Sequence, residues 1–182
     1  DNQRGFSHRY NSSLDMRFDD KDDSLTAQEI IENSSVRDLT NIFNEFGEER
    51  NSFRIARAIK ESNEEINADT LVSIISRKTA YKYRIKTYSR IFQALRIKTN
   101  NELDHLESFL NDFMNFLNPG GRIVIISYHS MEDRMVKHKF KDLKLNKELQ
   151  VLSKKPFTPT DEEIFDNKRS RSAKMRVGEK IG

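Results

Sequence analysis

A run of seven residues, Arg122 to Tyr128 (RIVIISY), constrains the fold of this chain more than any other segment. Four of the seven are valine or isoleucine, and the run directly follows the helix-breaking sequence Asn118-Pro119-Gly120-Gly121. A continuous β-branched run is typical of a strand that is buried on both faces of a parallel or mixed sheet. Because helical patterns precede and follow this strand, we predict an α/β fold.

The second half of the chain alternates helical and strand patterns. In order, we predict a helix at 91–97, a longer helix at 102–117, the strand at 122–128, a helix that Ser130 and Asp133 cap, and strands at 149–153 and 173–180. This order of elements is typical of the closing half of an open α/β sheet.

The first half reads as a small helical bundle without strand signals up to about residue 85. Two capping boxes, Thr26 with Glu29 and Ser35 with Asp38, predict where the first two helices begin. Gly47 stands where a left-handed residue would end the second helix. We therefore expect helices joined by short turns.

Several classes of site are excluded by composition. The chain has no Cys and therefore no disulfide framework or thiolate ligand, and its four His show no zinc-ligand spacing. With only 6 Gly it contains neither G-x-G-x-x-G nor a Walker loop. No apolar run is long enough to cross a bilayer, and no signal peptide is visible. We expect a cytoplasmic protein with no metal site and no membrane partner.

Basic and acidic residues are segregated along the chain. The stretch from Thr70 to Asn101 contains no Asp or Glu, and its lysines and arginines alternate with tyrosines and a phenylalanine. A second basic run closes the chain between Lys168 and Lys180. Basic side chains neutralise phosphates and aromatic faces stack on bases, so the pattern favours a nucleic-acid surface. A solvated helix face with a basic tail, or a basic face that meets an acidic protein, are the alternatives.

Five sequence blocks, in this order, carry a family resemblance. They are RGFS at 4–7 with LDMRFD at 14–19, GEER at 47–50 with RIAR at 54–57, RIFQALRI at 90–97 with NEL at 101–103, PGGR at 119–122 with ISYHSMEDR at 126–134, and NKRSRSAKMRVGEK at 167–180. Together they closely resemble the ribosomal small-subunit RNA cytosine-N4 methyltransferases, the RsmH or MraW family. The blocks span almost the whole chain.

The resemblance implies a Rossmann-like class I methyltransferase sheet, of which this chain is the closing half, with an inserted helical subdomain. It implies a segment after strand four at 1–23, a substrate-recognition insertion at 24–85, and the C-terminal half of the methyltransferase domain at 86–182. It also implies N4-methylation of a decoding-centre cytidine in 16S ribosomal RNA, either free or in the assembled small subunit. Asn51 and Lys86-Thr87-Tyr88 depart from the family pattern and put local RNA contacts in doubt.

S-adenosylmethionine is the methyl donor that the resemblance implies. The family's Gly-rich cofactor loop corresponds to a position upstream of Asp1, so we expect no cofactor-binding residue in this chain and no activity of the chain alone. A half sheet would expose an unpaired edge. We therefore expect either that an upstream part accompanies the chain or that the chain forms an oligomer such as a homodimer.

Candidate site residues fall into two groups. Ser127 and His129, at the carboxyl end of the strand, are predicted to form part of the wall of the target-base pocket, because α/β sheets bind ligands at that end. The predicted RNA contacts are basic residues of the four blocks around them: Arg4, Arg17, Arg54, Arg57, Arg90, Arg96, Arg169, Arg171, Lys174 and Arg176. The last four alternate at roughly strand spacing near the predicted sheet edge.

Each of these residues has a structural alternative. His129 is equally well explained as a satisfied structural residue, and Arg4 as the anchor of a loop. Asp15 and Asp19 are better explained as partners of Arg17 and of local turns than as an acid–base pair. For Arg54 and Arg57, pairing with Glu48 and Glu49 explains the sequence as well as RNA binding does. The three phenylalanines at 109, 113 and 116 are expected in the core. At the level of function, the alternative to the enzyme is a non-catalytic RNA-binding or ribosome-binding module.

Overall fold

The computed structural model describes residues 3–9, 12–19, 21 and 23–182 of the 182-residue chain. They form two units, of which the first ends at Glu102 and the second begins at Leu103. The α-helices are α1 (Ala27–Asn33), α2 (Val36–Glu45), α3 (Ser52–Lys60), α4 (Ala68–Lys78), α5 (Arg84–Asn100), α6 (Glu102–Asp112), α7 (Ser130–Leu145) and α8 (Asp161–Asp166). The strands are β1 (Arg122–Ser127), β2 (Leu149–Val151) and β3 (Lys174–Lys180), and 3-10 helices lie at Tyr81–Tyr83, Phe113–Phe116 and Lys168–Ser172.

Local capping signals set the starts of the first helices. Both predicted capping boxes are present: the Thr26 side chain accepts from the N–H of Glu29 while the Glu29 carboxylate accepts from the N–H of Thr26, and Ser35 and Asp38 make the same reciprocal pair. Each box satisfies backbone donors that have no partner inside the helix. Asn67 caps α4 in the same way, since its side chain accepts from the N–H of Thr70.

One apolar core holds the first unit together. It includes fully buried side chains from all five helices α1 to α5, among them Ile31, Leu39, Ile55, Leu71 and Ile91. Helix α5 contacts α1, α2 and α4, and the first unit extends to Glu102. The helix predicted at 91–97 is correspondingly longer, because its apolar residues are part of this core over most of its length.

Gly47 has a different role from the predicted one. It does not adopt the left-handed conformation; the next residue, Glu48, does, with φ of 49°. Gly47 instead permits a close backbone approach, because a Cβ at this position would lie 2.7 Å from the carbonyl oxygens of both Arg90 and Phe43. The glycine therefore lets the turn after α2 contact α5.

The second unit is a small sheet covered by α7. The strand order is β1-β3-β2, and β3 is antiparallel to both neighbours. Val136, Phe140 and Leu143 of α7 pack with Leu149 in the core of this unit. The unit is therefore an α/β structure, as predicted, in which the last strand lies in the middle of the sheet.

The prediction that β1 is buried on both faces is wrong for the part of the chain that the structure describes. Ile123 and Ile125 pack against the core, whereas Val124 and Ile126 are 53% and 52% exposed. Side chains alternate between the two faces of a strand, and α7 covers one face only. The second face of β1 is therefore apolar, but none of the described residues buries it.

The long helix predicted at 102–117 is interrupted. α6 ends at Asp112 and continues as the 3-10 helix Phe113–Phe116. Phe113 is buried, but Phe109 is 47% and Phe116 83% exposed, so only one of the three phenylalanines predicted in the core is there. No helix of the described residues combines the length and apolar character that crossing a membrane requires.

We expect Gly47→Ala to lower the free energy of unfolding by about 2 kcal/mol, because the new methyl group must displace two backbone carbonyls rather than a flexible side chain. Chemical denaturation followed by circular dichroism measures this loss. Gly182→Ala is the matched control, since its nearest neighbour would be Pro119 Cβ at an ordinary 3.6 Å. An equal effect of the two substitutions would contradict the close-approach role.

Candidate nucleic-acid interface

Arg4 anchors a loop in the first unit. One guanidinium nitrogen, Nη1, donates to the carbonyl oxygen of Arg17 at 3.0 Å, and Cζ lies 5.5 Å from the centre of the Phe6 ring. The side chain is half-buried. These contacts are those of a loop anchor, which is the structural alternative to RNA binding for Arg4.

Arg17 forms a two-point ion pair with Asp15. Its Nε and Nη2 donate to Asp15 Oδ1 and Oδ2 at 2.6 and 3.0 Å. The hydrogen bonds from Arg17 hold the pKa of the Asp15 carboxyl below its usual range. Asp19 Oδ1 accepts from the backbone N–H of Lys21 at 2.9 Å. The two aspartates thus hold Arg17 and a turn, and the contacts are not those of an acid–base pair.

The arginines of α3 differ in their availability. Arg57 donates to Glu61 at 2.6 Å, and both side chains are more than half exposed, so this pair is worth less than about 1 kcal/mol. Arg54 is exposed and has no hydrogen-bond or ion-pair partner among the described residues. The expected pairing with Glu48 or Glu49 is not formed by either arginine.

Two arginines of α5 have carboxylate partners. Arg96 donates to both oxygens of Glu102, at 2.7 and 2.9 Å, which is a bidentate pair. Arg90 is 3.4 Å from Glu49, whose side chain is only 2% exposed. That distance is longer than the 2.7–2.9 Å of a strong charge-assisted bond, so Arg90 retains donors for another acceptor. The sequence did not predict the burial of Glu49.

A capping box fixes the turn after β1, one residue earlier than the predicted pair of Ser130 and Asp133. His129, not Ser130, is the N-cap of α7, and the N–H of Glu132 lies 3.4 Å from its Nδ1. Glu132 Oε2 accepts from the N–H groups of Tyr128 and His129 at 2.9 and 3.3 Å. The two residues therefore hold the backbone at 128–129 in one conformation.

The electrostatics of this turn follow from the same contacts. Burial acts to raise the pKa of Glu132, but hydrogen bonds from His129 and from the Tyr128 N–H outweigh it and leave the pKa lowered. His129 Nε2 is buried and makes no well-aligned hydrogen bond, although it lies 3.3 Å from Glu132 Oε1. Ser127 is also buried, while the Tyr128 ring is 56% exposed. The surface of the turn is thus aromatic.

Lys174 and Arg176 converge on one buried carboxylate. Arg176 Nε donates to Asp133 Oδ1 at 2.7 Å and Lys174 Nζ to Oδ2 at 3.2 Å. Arg176 is 9% exposed, so its charge is balanced inside the unit. Burial acts to raise the pKa of Asp133, but the bonds from Arg176 and Lys174 outweigh it and lower the pKa.

The four basic residues near the end of the chain therefore do not form one face of an edge strand. β3 lies between β1 and β2, and Arg169 and Arg171 lie outside it on the 3-10 helix Lys168–Ser172. Both arginines are exposed, and neither side chain has a partner among the residues that the structure describes. The alternating spacing of basic residues thus begins before the strand does, so it does not mark the start of β3.

Comparison with known proteins identifies the family of this chain. The sequence pattern of the MraW methylase family matches residues 1–181 of the chain. The chain therefore belongs to the MraW methylase family. This confirms the resemblance on which the sequence interpretation depended.

Similar proteins carry the name ribosomal RNA small subunit methyltransferase H. One from a Nostoc species is 48% identical over 181 residues, which is 98% of this chain and 59% of the relative. One from Trichodesmium erythraeum is 46% identical over 182 residues, or 98% of this chain and 63% of that protein. The chain thus spans about three-fifths of the length of these relatives.

We expect Asp133→Asn to lower the free energy of unfolding by about 2 kcal/mol at pH 7, because Arg176 would be left buried without a counter-charge. Denaturant titrations of the two proteins measure the difference. Asp142→Asn, an exposed position on the same helix, should change stability by less than about 0.5 kcal/mol.

The same pair gives a pH dependence with a defined sign. Since the folded-state pKa of Asp133 is lowered, its contribution is complete above the unfolded value of about 3.9 and is lost as the pH falls through the folded value. The difference in stability between wild type and Asp133→Asn should therefore shrink below about pH 4. A difference that stays constant down to pH 2 would contradict this assignment.

Proposed function

We propose that this chain is the RNA-recognition part and the closing half of the catalytic domain of an S-adenosylmethionine-dependent methyltransferase. Its target is N4 of a decoding-centre cytidine in 16S ribosomal RNA, free or in the assembled small subunit. The observation that carries the proposal is the family match over residues 1–181, together with relatives named as ribosomal RNA small subunit methyltransferases.

At two of the described glycines, the space is filled by neighbouring parts of the chain itself. The side of Gly47 where a Cβ would stand is filled by the carbonyls of Arg90 and Phe43, and that of Gly178 by the side chain of Leu149. These positions are used for packing between elements of the chain itself. We propose that the residues that hold S-adenosylmethionine lie mainly in the part of the relatives' length that this chain does not span.

The target base defines what the turn after β1 must do. The N4 lone pair of cytosine is delocalised into the ring, so transfer requires an extruded base that is held in one orientation. Tyr128 presents an exposed ring for stacking, and the His129–Glu132 capping box fixes the backbone that carries it. Ser127 and His129 form the buried side of this wall and position the turn.

RNA binding is the function that the exposed charges of this chain support most directly. Arg54 in the first unit and Arg169 and Arg171 in the second are exposed and have no partner among the described residues. Their charges are not compensated within the fold, so binding a phosphate does not require breaking an ion pair. Arg4, Arg17, Arg96 and Arg176 would have to exchange existing bonds first.

We expect the 182-residue chain to bind 16S ribosomal RNA with an affinity that falls as salt rises from 50 to 200 mM. Binding releases cations from the phosphates, and the entropy gained by that release becomes smaller as the bulk salt concentration rises. Filter binding measures the slope of log affinity against log salt. The double substitution Arg169→Gln, Arg171→Gln should reduce that slope by about 1.4 if both contact single-stranded phosphates.

Two exposed lysines provide the matched control for this experiment. Lys154→Gln with Lys155→Gln removes the same charge from the same unit, at positions outside the family blocks. This variant should keep the wild-type slope. An affinity of the wild-type chain that is indifferent to salt would contradict RNA binding through phosphates.

Catalysis is tested by joining this chain to the segment of the Nostoc relative that lies outside the match. With S-adenosylmethionine and small ribosomal subunits that lack the modification, we expect the chimera to produce N4-methylcytidine, detected by mass spectrometry of digested RNA. The 182-residue chain alone is the control, and it should neither methylate nor bind S-adenosylmethionine in isothermal titration. Another methylated nucleoside as the product would refute the N4 assignment.

The second candidate function is a non-catalytic RNA-binding or ribosome-binding module, which the uncompensated arginines support equally. The chimera distinguishes the two functions. In the chimera, Tyr128→Ala and His129→Ala should each lower turnover. Tyr128→Phe should keep the wild-type turnover, because phenylalanine retains the aromatic ring. A chimera that binds RNA tightly but never methylates would favour the binding module.

A further inference from the structure

A cavity of about 430 Å³ lies on the first unit between the start of α3 and the start of α5. We call it the α3–α5 cavity, and its lining residues are Glu49, Arg50, Asn51, Tyr83, Lys86, Thr87 and Arg90. Its volume lies within the roughly 300–1,000 Å³ that is usual for ligand sites. None of the ten predicted RNA contacts except Arg90 lines it.

The charges of the cavity are unbalanced. The single carboxylate, Glu49, is buried and is satisfied within the fold, since it accepts from the Asn51 N–H at 2.9 Å and faces Arg90 at 3.4 Å. Arg50 and Lys86 are exposed, and neither has a partner in the described part of the chain. Three cations therefore surround a cavity that contains one anion.

An aromatic ring completes the lining. Tyr83 immediately precedes α5 and is 55% exposed, and its ring is contacted by the Nζ of Lys82 at 4.9 Å from the ring centre. A ring beside cations that can reach a phosphate is the arrangement with which proteins bind single-stranded nucleic acid, because unpaired bases present their faces for stacking. A duplex offers phosphates but keeps its base faces stacked.

We propose that the α3–α5 cavity binds one nucleotide of a single-stranded RNA segment. Its phosphate lies between Arg50, Lys86 and Arg90, and its base stacks on Tyr83. Glu49 is a positioning residue, which orients Arg90 from the buried side of the cavity. The inference rests on the proposed RNA-binding function and assigns a particular site to it.

The test is a fluorescence anisotropy titration of a labelled twelve-nucleotide oligocytidine with the 182-residue chain. At 100 mM salt, Arg50→Gln and Lys86→Gln should each weaken binding about three- to tenfold, and each should reduce the salt slope by about 0.7. Arg37→Gln and Lys141→Gln are matched controls, because both residues are exposed and lie outside the cavity. They should change the affinity less than twofold.

The aromatic contact has its own pair of variants. Tyr83→Ala should weaken binding at least fivefold without changing the salt slope, whereas Tyr83→Phe should stay within twofold of wild type because stacking needs only the ring. Phe165→Ala removes another exposed aromatic, 83% exposed on α8, and should have no effect. Circular dichroism of each variant checks that the helices are intact.

The outcomes separate this inference from the function on which it rests. If the wild-type chain binds no RNA, both the RNA-binding proposal and this site are refuted. If it binds RNA and the cavity variants bind as the controls do, this site alone is refuted. If a polyglutamate peptide displaces the RNA and Tyr83→Ala has no effect, the cavity takes an acidic peptide and the nucleotide assignment is wrong.

Discussion

The contact between the turn after α2 and helix α5 determines how the first unit presents its charges. Gly47 lets the Arg90 carbonyl approach to a distance that a side chain would prevent, and the buried Glu49 then meets the Arg90 side chain. Because α3 begins just after this turn, the contact brings Arg50 to the same cavity as Lys86. A backbone approach, and not a long-range charge pattern, thus produces the basic cavity.

The second unit depends on carboxylates of α7 in a comparable way. Asp133 balances Arg176 and Lys174 of the central strand, and Glu132 together with His129 fixes the turn that follows β1. Two adjacent carboxylates of α7 therefore have different partners: Asp133 binds the central strand, and Glu132 binds the turn that forms the candidate pocket wall. A substitution at Asp133 is expected to affect stability, whereas one at the exposed Tyr128 is expected to leave the fold intact.

Features that depend on residues close together in the sequence could be predicted. The capping boxes at Thr26 and Ser35 were correct because both partners lie within three residues of each other. The burial of Arg176 was not predicted, because its partner Asp133 is 43 residues away and no local pattern encodes that pairing. The second face of β1 shows the same limit, since residue type reports the apolar character of Ile126 but not what covers it.

Under the proposed function, the basic residues that contribute to RNA binding are those whose charge is not already engaged in an ion pair. An arginine that already donates to a buried carboxylate must lose that bond to meet a phosphate, so Arg176 gains little from the exchange. Arg54, Arg169 and Arg171 face no such cost. Arg90 is intermediate, because its long contact with Glu49 orients the guanidinium while leaving donors unused. A residue in that state is held in place before the ligand arrives, which reduces the entropy lost on binding.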